Sequence, residues 1–528
     1  YISNTSEYPL NVIASQMMLK NQSKIISYQN LFVRNLRFLI WIIPFQVNAL
    51  HAENSKTFLQ SVQSSMSEIL APKSQENYAK ASISSLSNFQ LDTTKIQELP
   101  TIFAPAQMGR SPQYTYTALN ASGLNETILH ALQRSPEISQ NIATLAAQGA
   151  NIDVAKAQYY PQVSGGLSTA DLTSGERGRQ MLSLSATQML YDFGKINSSV
   201  DIQEAKLSVA QANVLVSIDN VAYETANTIV NIQRYQEIIK IAQQQISGIS
   251  RIAEITNLRA QAGISSQADP VQARSNVQAA ETNLIVQETQ LKKFQQRLRT
   301  LLGSEVKGLK WAIPEHLVKE SDLYTDPEFN KVPNMMSAQA EVDVAKFQKQ
   351  QSKLSRYPTI NVKGSLSQAV NGRNPNNNED DGFYNSIMLE ANSNLYQGGA
   401  TASQTRAASY AEEAAKAKVN RVYLDVLDEI RSLREEIENK QRQIVSLIAR
   451  KETTVRTREL YQEQYKLGTR SAVDLLNAEQ AIHSAAQEIE NARFDIYDAI
   501  VRYIFVTGRS RDLYDLNHIS IQGFEIQP

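Results

Sequence analysis

The sequence predicts a mixed α/β membrane protein in which each chain supplies four β-strands and two very long helices. Three observations carry this expectation. Residues 195–262 and 400–467 hold a single Gly between them and no Pro, and are dominated by Ala, Glu, Gln, Arg, Lys and Leu, all good helix formers. The hydrophobic period switches to two just before each of these stretches. The whole pattern occurs twice.

Composition narrows the class. The chain has 528 residues, 42% of them hydrophobic, and a mean hydropathy of −0.35, too polar for a bundle of membrane-spanning helices. A β-barrel remains open, because its strands are only half apolar. Net charge is −1, so no basic field marks a nucleic-acid partner. Cysteine is absent, which removes disulfides, thiolate metal sites and thiol nucleophiles.

The one strongly apolar run, Phe38-Leu39-Ile40-Trp41-Ile42-Ile43-Pro44-Phe45-Gln46-Val47, follows Arg34 and Arg37 and precedes small residues near Ala49 and Ala52. A basic end, about ten apolar residues and an A-x-A-like site make a secretory signal. The alternative is a buried helix or strand. Because the sequence opens on Tyr1, Met17 or Met18 is the expected start of translation. Residues 1–52 are therefore assigned to the signal region. Residues 53–120, rich in Ser, Gln, Asn and Thr and broken by Pro72, Pro100, Pro105 and Pro112, are assigned to a loosely ordered extension.

Three landmarks repeat in order. Tyr160-Pro161-Gln162-Val163 matches Tyr357-Pro358-Thr359-Ile360. Leu190-Tyr191-Asp192-Phe193-Gly194 matches Leu395-Tyr396-Gln397-Gly398-Gly399. Gly263-Ile264-Ser265-Ser266-Gln267-Ala268-Asp269 matches Gly468-Thr469-Arg470-Ser471-Ala472-Val473-Asp474. Gly194 to Gly263 is 69 residues, and so is Gly399 to Gly468. Each intervening stretch is a predicted rod of about 100 Å at 1.5 Å per residue. In the second rod Ile430, Ile437 and Ile444 recur every seven residues, as do Val426, Leu433 and Leu447 with Lys440 interrupting, a coiled-coil period. Shorter helices are expected at about 136–159, 270–302, 334–356 and 471–507.

After each Tyr-Pro the pattern alternates. Ile360, Val362, Gly364 and Leu366 interleave with Asn361, Lys363 and Ser365; Ile387, Leu389 and Ala391 with Met388 and Glu390; Leu182, Leu184 and Ala186 with Ser183 and Ser185. Each copy thus has two strands, joined by polar loops at Asp171–Gln180 and Asn371–Gly382, with Leu184 and Leu389 expected to face lipid. Four strands with an apolar outer face and bare edges cannot stand in lipid, where backbone groups find no water. Three copies would close a twelve-stranded barrel. A soluble coiled-coil protein with an incidental hairpin is the competing reading, and it leaves the signal and the matched strand pairs unexplained.

These landmarks, and above all Tyr465-Lys466-Leu467-Gly468-Thr469-Arg470-Ser471-Ala472-Val473-Asp474-Leu475-Leu476-Asn477-Ala478-Glu479, resemble the TolC-like outer-membrane channel proteins of Gram-negative bacteria. The resemblance covers about 120–508. It implies two outer-membrane efflux repeats, 121–325 and 326–508, followed by a C-terminal tail, 509–528. It also implies a homotrimer whose twelve-stranded barrel continues as a periplasmic tunnel of twelve helices. The implied partners are outer-membrane lipid, a periplasmic adaptor (membrane fusion) protein and an inner-membrane ABC exporter or proton-driven pump.

No catalytic constellation is present. The five histidines (His51, His130, His316, His483, His518) lack metal-ligand spacing, and there is no P-loop, G-x-S-x-G or H-E-x-x-H, so neither enzyme chemistry nor a cofactor or metal is expected. The resemblance places function at the tip turns, Gly263 and Gly468. It implies that Asp474 lines the pore constriction as an acidic ring, with Asn477 where relatives often carry a second Asp. It implies that Tyr465 and Arg470 latch to Asp269 of the other helix pair, an arrangement suited to a directional Arg–carboxylate bond. The expected activity is that of a passive exit duct, for type I protein secretion or alternatively for a drug or metal efflux pump. Many dedicated efflux ducts are lipoproteins anchored through an N-terminal Cys, and its absence leans mildly towards secretion or a shared duct. A coiled-coil surface adhesin would need no repeated hairpin.

Overall fold

The structure is a computed structural model and describes residues 123–169, 180–303, 321–394 and 396–526. The apolar run at 38–47, the extension over 53–120, most of the 171–180 loop, Leu395, His51 and His316 lie outside the described residues. The chain divides into two compact units.

The first unit comprises Lys156–Ile196 and Leu354–Thr401. Its strands β1 (Gln162–Thr169), β2 (Gln180–Tyr191), β3 (Thr359–Asn371) and β4 (Phe383–Asn392) form one antiparallel meander in the order β1-β2-β3-β4. The pairing of β2 with β3 joins the two repeats. Residues directly opposite in an antiparallel pair share a face, so the register sorts the side chains. Leu167 opposes Leu182, Leu184 opposes Leu366, and Val362 opposes Leu389, which puts Leu184 and Leu389 on one apolar face. That face is open: Leu167 and Leu389 are each 69% exposed. On the other face Ser164, Ser185, Ser365 and Ser386 stand in register across all four strands. Their hydroxyls bond at 2.8 Å (Ser164–Ser185) and 2.7 Å (Ser365–Ser386). One chain therefore holds an open sheet with two free edges, not a closed barrel.

The landmark residues at the strand ends make local turns. Phe193 and Gly194 in one copy, and Gly398 and Gly399 in the other, have φ between 59° and 90°. Asp192 caps the first rod, its carboxylate accepting from the backbone N–H of Gly194 at 2.9 Å and of Ile196 at 2.6 Å. Phe193 is held in its left-handed conformation by an edge contact with Tyr191 and a stack on Tyr357, centroids 4.8 and 5.3 Å away.

The second unit is helical. It contains α1 (Leu124–Arg134), α2 (Pro136–Ala157), α3 (Lys195–Gln261), α4 (Ala268–Leu302), α5 (Pro333–Leu354), α6 (Ala400–Lys466) and α7 (Ala472–Val506), apart from the few end residues assigned to the sheet unit. The repeat is metrical: α2 and α5 both have 22 residues, α3 and α6 both 67, α4 and α7 both 35. Pro136 and Pro333 open α2 and α5, where the missing N–H costs nothing. The main core joins Ile138 and Ile142 of α2 to Ile218 and Ile229 of α3, Leu298 of α4, Ile430 of α6 and Ile504 of α7. Of the expected heptad positions Val426, Ile430, Leu433, Ile437 and Leu447 are buried, and Lys440 pairs with Asp495 at 2.7 Å.

The stretch treated above as a C-terminal tail is part of that core. Tyr514, Leu516, Ile521, Phe524 and Ile526 are all buried, with Ser520–Ile521 and Phe524–Glu525 pairing as a short hairpin (β5, β6). Its apolar residues are too few for a periodic signal, so only tertiary packing reveals them.

Candidate gate at the paired helix turns

Both rods end in the same turn. Ile264 N–H donates to Arg259 O at 2.9 Å and Gly263 N–H to Ala260 O at 3.0 Å; Thr469 N–H donates to Gln464 O at 3.0 Å and Gly468 N–H to Tyr465 O at 3.1 Å. This pair of bonds is the Schellman motif, which needs a left-handed residue at the turn. Gly263 (φ 73°) and Gly468 (φ 77°) supply it without a Cβ penalty. Below the main core, Ile249 and Ile252 of α3, Ala273 and Ala280 of α4, Tyr465 of α6 and Leu475 and Leu476 of α7 form a separate cluster that holds the two hairpins together near the turns.

The return helices start differently. Ser471 and Asp474 make a capping box: the Asp474 N–H donates to Ser471 Oγ at 3.2 Å, and the Ser471 N–H donates to Asp474 Oδ2 at 3.4 Å. The Ser471 hydroxyl also donates to Asp474 Oδ2 at 2.9 Å. The bonds from Ser471, with the nearby Arg470 charge, hold the Asp474 carboxyl below the usual aspartate range. Asn477 is exposed three residues on, so it and Asp474 share a helix face. In the first repeat the Ser266 Oγ accepts from the Ala268 N–H at 3.1 Å and its carbonyl accepts from the Asp269 N–H at 3.2 Å.

The expected contact of Arg470 with Asp269 is not among the bonds of the described residues of a single chain. Arg470 instead serves its own turn. Its Nε donates to Gln464 Oε1 at 3.0 Å, its Nη1 lies 3.7 Å from Asp474 Oδ2, and its guanidinium covers the Tyr461 ring at 4.5 Å. The physical reason is proximity: Asp474 is one helical turn away, and pairing there orders no second hairpin. Tyr465 is buried, and its hydroxyl has no hydrogen-bond partner among the described residues. Burial first, then the negative charge of Asp269, pushes its pKa up, against the opposing charge of Arg259. Asp269 thus acts on Tyr465 only through its charge, with no hydrogen bond between them, and Arg470 makes no bond to Asp269 among the described residues.

Sequence reasoning missed Arg259. Its guanidinium lies over the Tyr465 ring at 4.8 Å and its Nη1 donates to Lys466 O at 3.4 Å, so beside the turns it reaches from the first hairpin to the second. A basic residue in the last turn of a helix was the available signal, since it suits the exposed carbonyls there.

The sequence profile of the outer membrane efflux protein family matches residues 127–304 and 330–509. The chain belongs to this family. The two matched segments follow the two structural repeats described above. TolC of Salmonella enteritidis, an outer membrane protein, is 24% identical over 437 residues, covering 78% of this chain and 88% of the relative. The alkaline protease secretion protein AprF of Pseudomonas aeruginosa is 28% identical over 183 residues, covering 33% of this chain and 36% of its own. The fold is similar to that of the outer membrane protein VceC of Vibrio cholerae, with a TM-score of 0.62, 16% identity, and coverage of 73% of this chain and 96% of the other. As a family member, the chain is an outer-membrane channel of the efflux and secretion class, extending into the periplasm.

Proposed function

We propose that three copies of this chain close a twelve-stranded barrel in the outer membrane, continued by a twelve-helix periplasmic tunnel, and that the assembly is the passive exit duct of a type I protein secretion machine. The observation that supports the oligomer is the four-stranded sheet whose apolar face, including Leu184 and Leu389, is open along its length and whose edge strands are unpaired in one chain. In lipid such edges are untenable, and closure by further copies satisfies them. The other face then lines the lumen. Its row of serines is small and uncharged, which leaves room for an extended polypeptide, with Lys363 and Glu390 as charged positions on the same face.

The duct opens and closes at its periplasmic tip. Three Asp474 carboxylates ring the constriction with Asn477 beside them, and a ring of carboxylates admits cations and repels anions. Tyr465, Arg470 and Asp269 belong to the latch that keeps the tip shut, together with Arg259. The chain supplies no energy. An inner-membrane exporter and a periplasmic adaptor deliver cargo and dilate the tip.

The similarity to a protease secretion protein supports protein cargo. The efflux-duct reading draws on the family's description. Two measurements separate the possibilities. Light scattering of detergent-solubilised protein should give three chains per particle, and a stable monomer would overturn the barrel. Cells lacking the chain should lose a secreted protein while keeping their drug tolerance; the reverse outcome favours the pump.

A further inference from the structure

The first rod contains one glycine, Gly248, in the middle of an otherwise uninterrupted helix. Glycine there costs roughly 1 kcal/mol relative to Ala, and its turn is ordinary α-helix, so conformation does not require it. Close approach does. A Cβ at 248 would overlap Glu479 Oε1 of α7 and lie 2.9 Å from its Cδ and 3.2 Å from its Cγ. The Glu479 carboxylate is seated on bare backbone of α3.

That carboxylate is deeply buried, with its side chain 7% exposed, and it is fully partnered from its own hairpin. His483 Nε2 lies 3.1 Å from Glu479 Oε1 and Arg458 Nη1 lies 3.3 Å from Oε2. His483 is on α7 and Arg458 on α6, so both charge partners travel with Glu479. Nothing polar from α3 is needed. The position is also particular to one interface: 205 residues apart in the repeat, Gly248 corresponds to Thr453 and Glu479 to Arg274, and both of these are exposed.

We propose that Gly248 and Glu479 form a second, releasable joint of the gate, in which the α6–α7 hairpin carries a preassembled charged key and α3 supplies the notch that receives it. This rests on the reading of the helical tip as a gate. Glu479 lies five residues, about 7.5 Å, inward from Asp474 along α7, so the joint holds the hairpin one turn and more above the tip latch. Its chemistry suits reversible release. Lifting Glu479 from its notch breaks no ion pair of its own and strands no buried charge, the event that makes most buried salt bridges costly to open. The ion pairs that do join α3 to α7, Arg234 with Asp495 and Asp498, lie 16 or more residues farther from the tip along α7 and stay closed when only the end of the hairpin moves. The carboxylate leaves with its histidine and arginine and meets water. The tip contacts set whether the end is shut, and this joint sets the register to which the hairpin returns.

The chain has no cysteine, so a single introduced pair can be read without background. In planar bilayers the full-length Gly248→Ala protein should conduct several-fold more than the parent, because the notch is filled and the hairpin seats only if the Glu479 carboxylate shifts off His483 and Arg458. Adding Glu479→Ala should return conductance to that of Glu479→Ala alone, a rescue that general loss of helix packing would not show. Parental conductance in Gly248→Ala, or no rescue in the double variant, overturns the joint. A Gly248→Cys, Glu479→Cys pair should oxidise in the idle channel, block export in cells, and release it on reduction. Failure to oxidise, or normal export with the disulfide formed, also overturns it, and this arm stands if Gly248→Ala does not assemble. Measuring Arg470→Ser with Tyr465→Phe alongside separates the two ideas. An effect there without one at Gly248 leaves the tip latch and removes the joint, and the converse leaves the joint and removes the latch.

Discussion

The two rods, α3 and α6, are both 67 residues long, yet they live in different surroundings. α3 has buried residues from Ile196 to Ala260, among them Ile218, Val221, Ile229 and Ile232. α6 has none before Val426, and its buried set is Val426, Ile430, Leu433, Ile437, Leu447 and Tyr465. Leu424 and Val445 of α6 are 60% and 71% exposed in the single chain. α3 is wrapped so fully that it takes a carboxylate inside: Asp219 is 1% exposed, and burial, with Asp512 adding and Arg511 opposing, pushes its pKa up to about 7. Helix propensity and the Gly turns set the same length twice. Burial does not follow from either, because it depends on which neighbours the chain itself supplies. In the trimer reading, the uncovered apolar positions of α6 are those that meet another copy.

The largest effect should separate the rods directly. Ile229→Ala in α3 should destabilise the folded protein by about 2–5 kcal/mol in denaturant titrations, the cost of a buried cavity. Leu424→Ala in α6 should shift unfolding by no more than about 0.5 kcal/mol but lower the stability of the trimer against dilution. Equal effects at the two sites would erase the contrast. Next, Leu184→Arg and Leu389→Arg should each cost roughly 2–4 kcal/mol if near the bilayer midplane, seen as loss of assembled trimer on unheated gels. Normal assembly would mean the sheet faces are reversed.

Asp219→Asn sharpens the comparison from the α3 side. A carboxyl whose folded pKa lies above its unfolded value favours the native state at low pH and loses that advantage as pH climbs from about 4 towards 7. The Asn variant should therefore melt higher than the parent at pH 8 and no higher at pH 4. A gap that does not change with pH would show that Asp219 keeps its charge when buried. The smallest effects belong to the exposed tip. Arg470→Ser removes exposed contacts each worth under about 1 kcal/mol, and Tyr465→Phe removes a hydroxyl that is unpartnered in the single chain, yet the pair should raise bilayer conductance if these groups latch the tip in all three copies. Asp474→Ala should weaken cation preference. Since the Asp474 pKa is depressed, the parent's preference should persist as pH falls through the usual aspartate range and fade only below it.

Much of the architecture was legible in the sequence because it rests on local chemistry. The predicted rods at 195–262 and 400–467 appear as Lys195–Gln261 and Ala400–Lys466, and the alternating segments appear as β1 to β4. Helix formers without Gly or Pro, a period of two after Tyr-Pro, and glycine at a left-handed turn all act within a few residues of themselves, so a linear reading finds them. The tip was legible only in part. Gly263 and Gly468 take the expected turns, and Asp474 opens α7, but Arg470 turns to Asp474 and Gln464 while Arg259 reaches across. A long cation has several acceptors in range, and choosing among them is a matter of fractions of a kcal/mol settled by where neighbouring backbones lie. The same holds for the glycine in the first rod, for His483, which looked solitary and is bound to Glu479, and for the C-terminal hairpin folded into the core. The sequence by itself determined the elements, their lengths and their duplication. Only the tertiary structure decided which surfaces one chain covers and which it leaves for others, because close approach and burial are properties of pairs of segments hundreds of residues apart, and no local pattern encodes them.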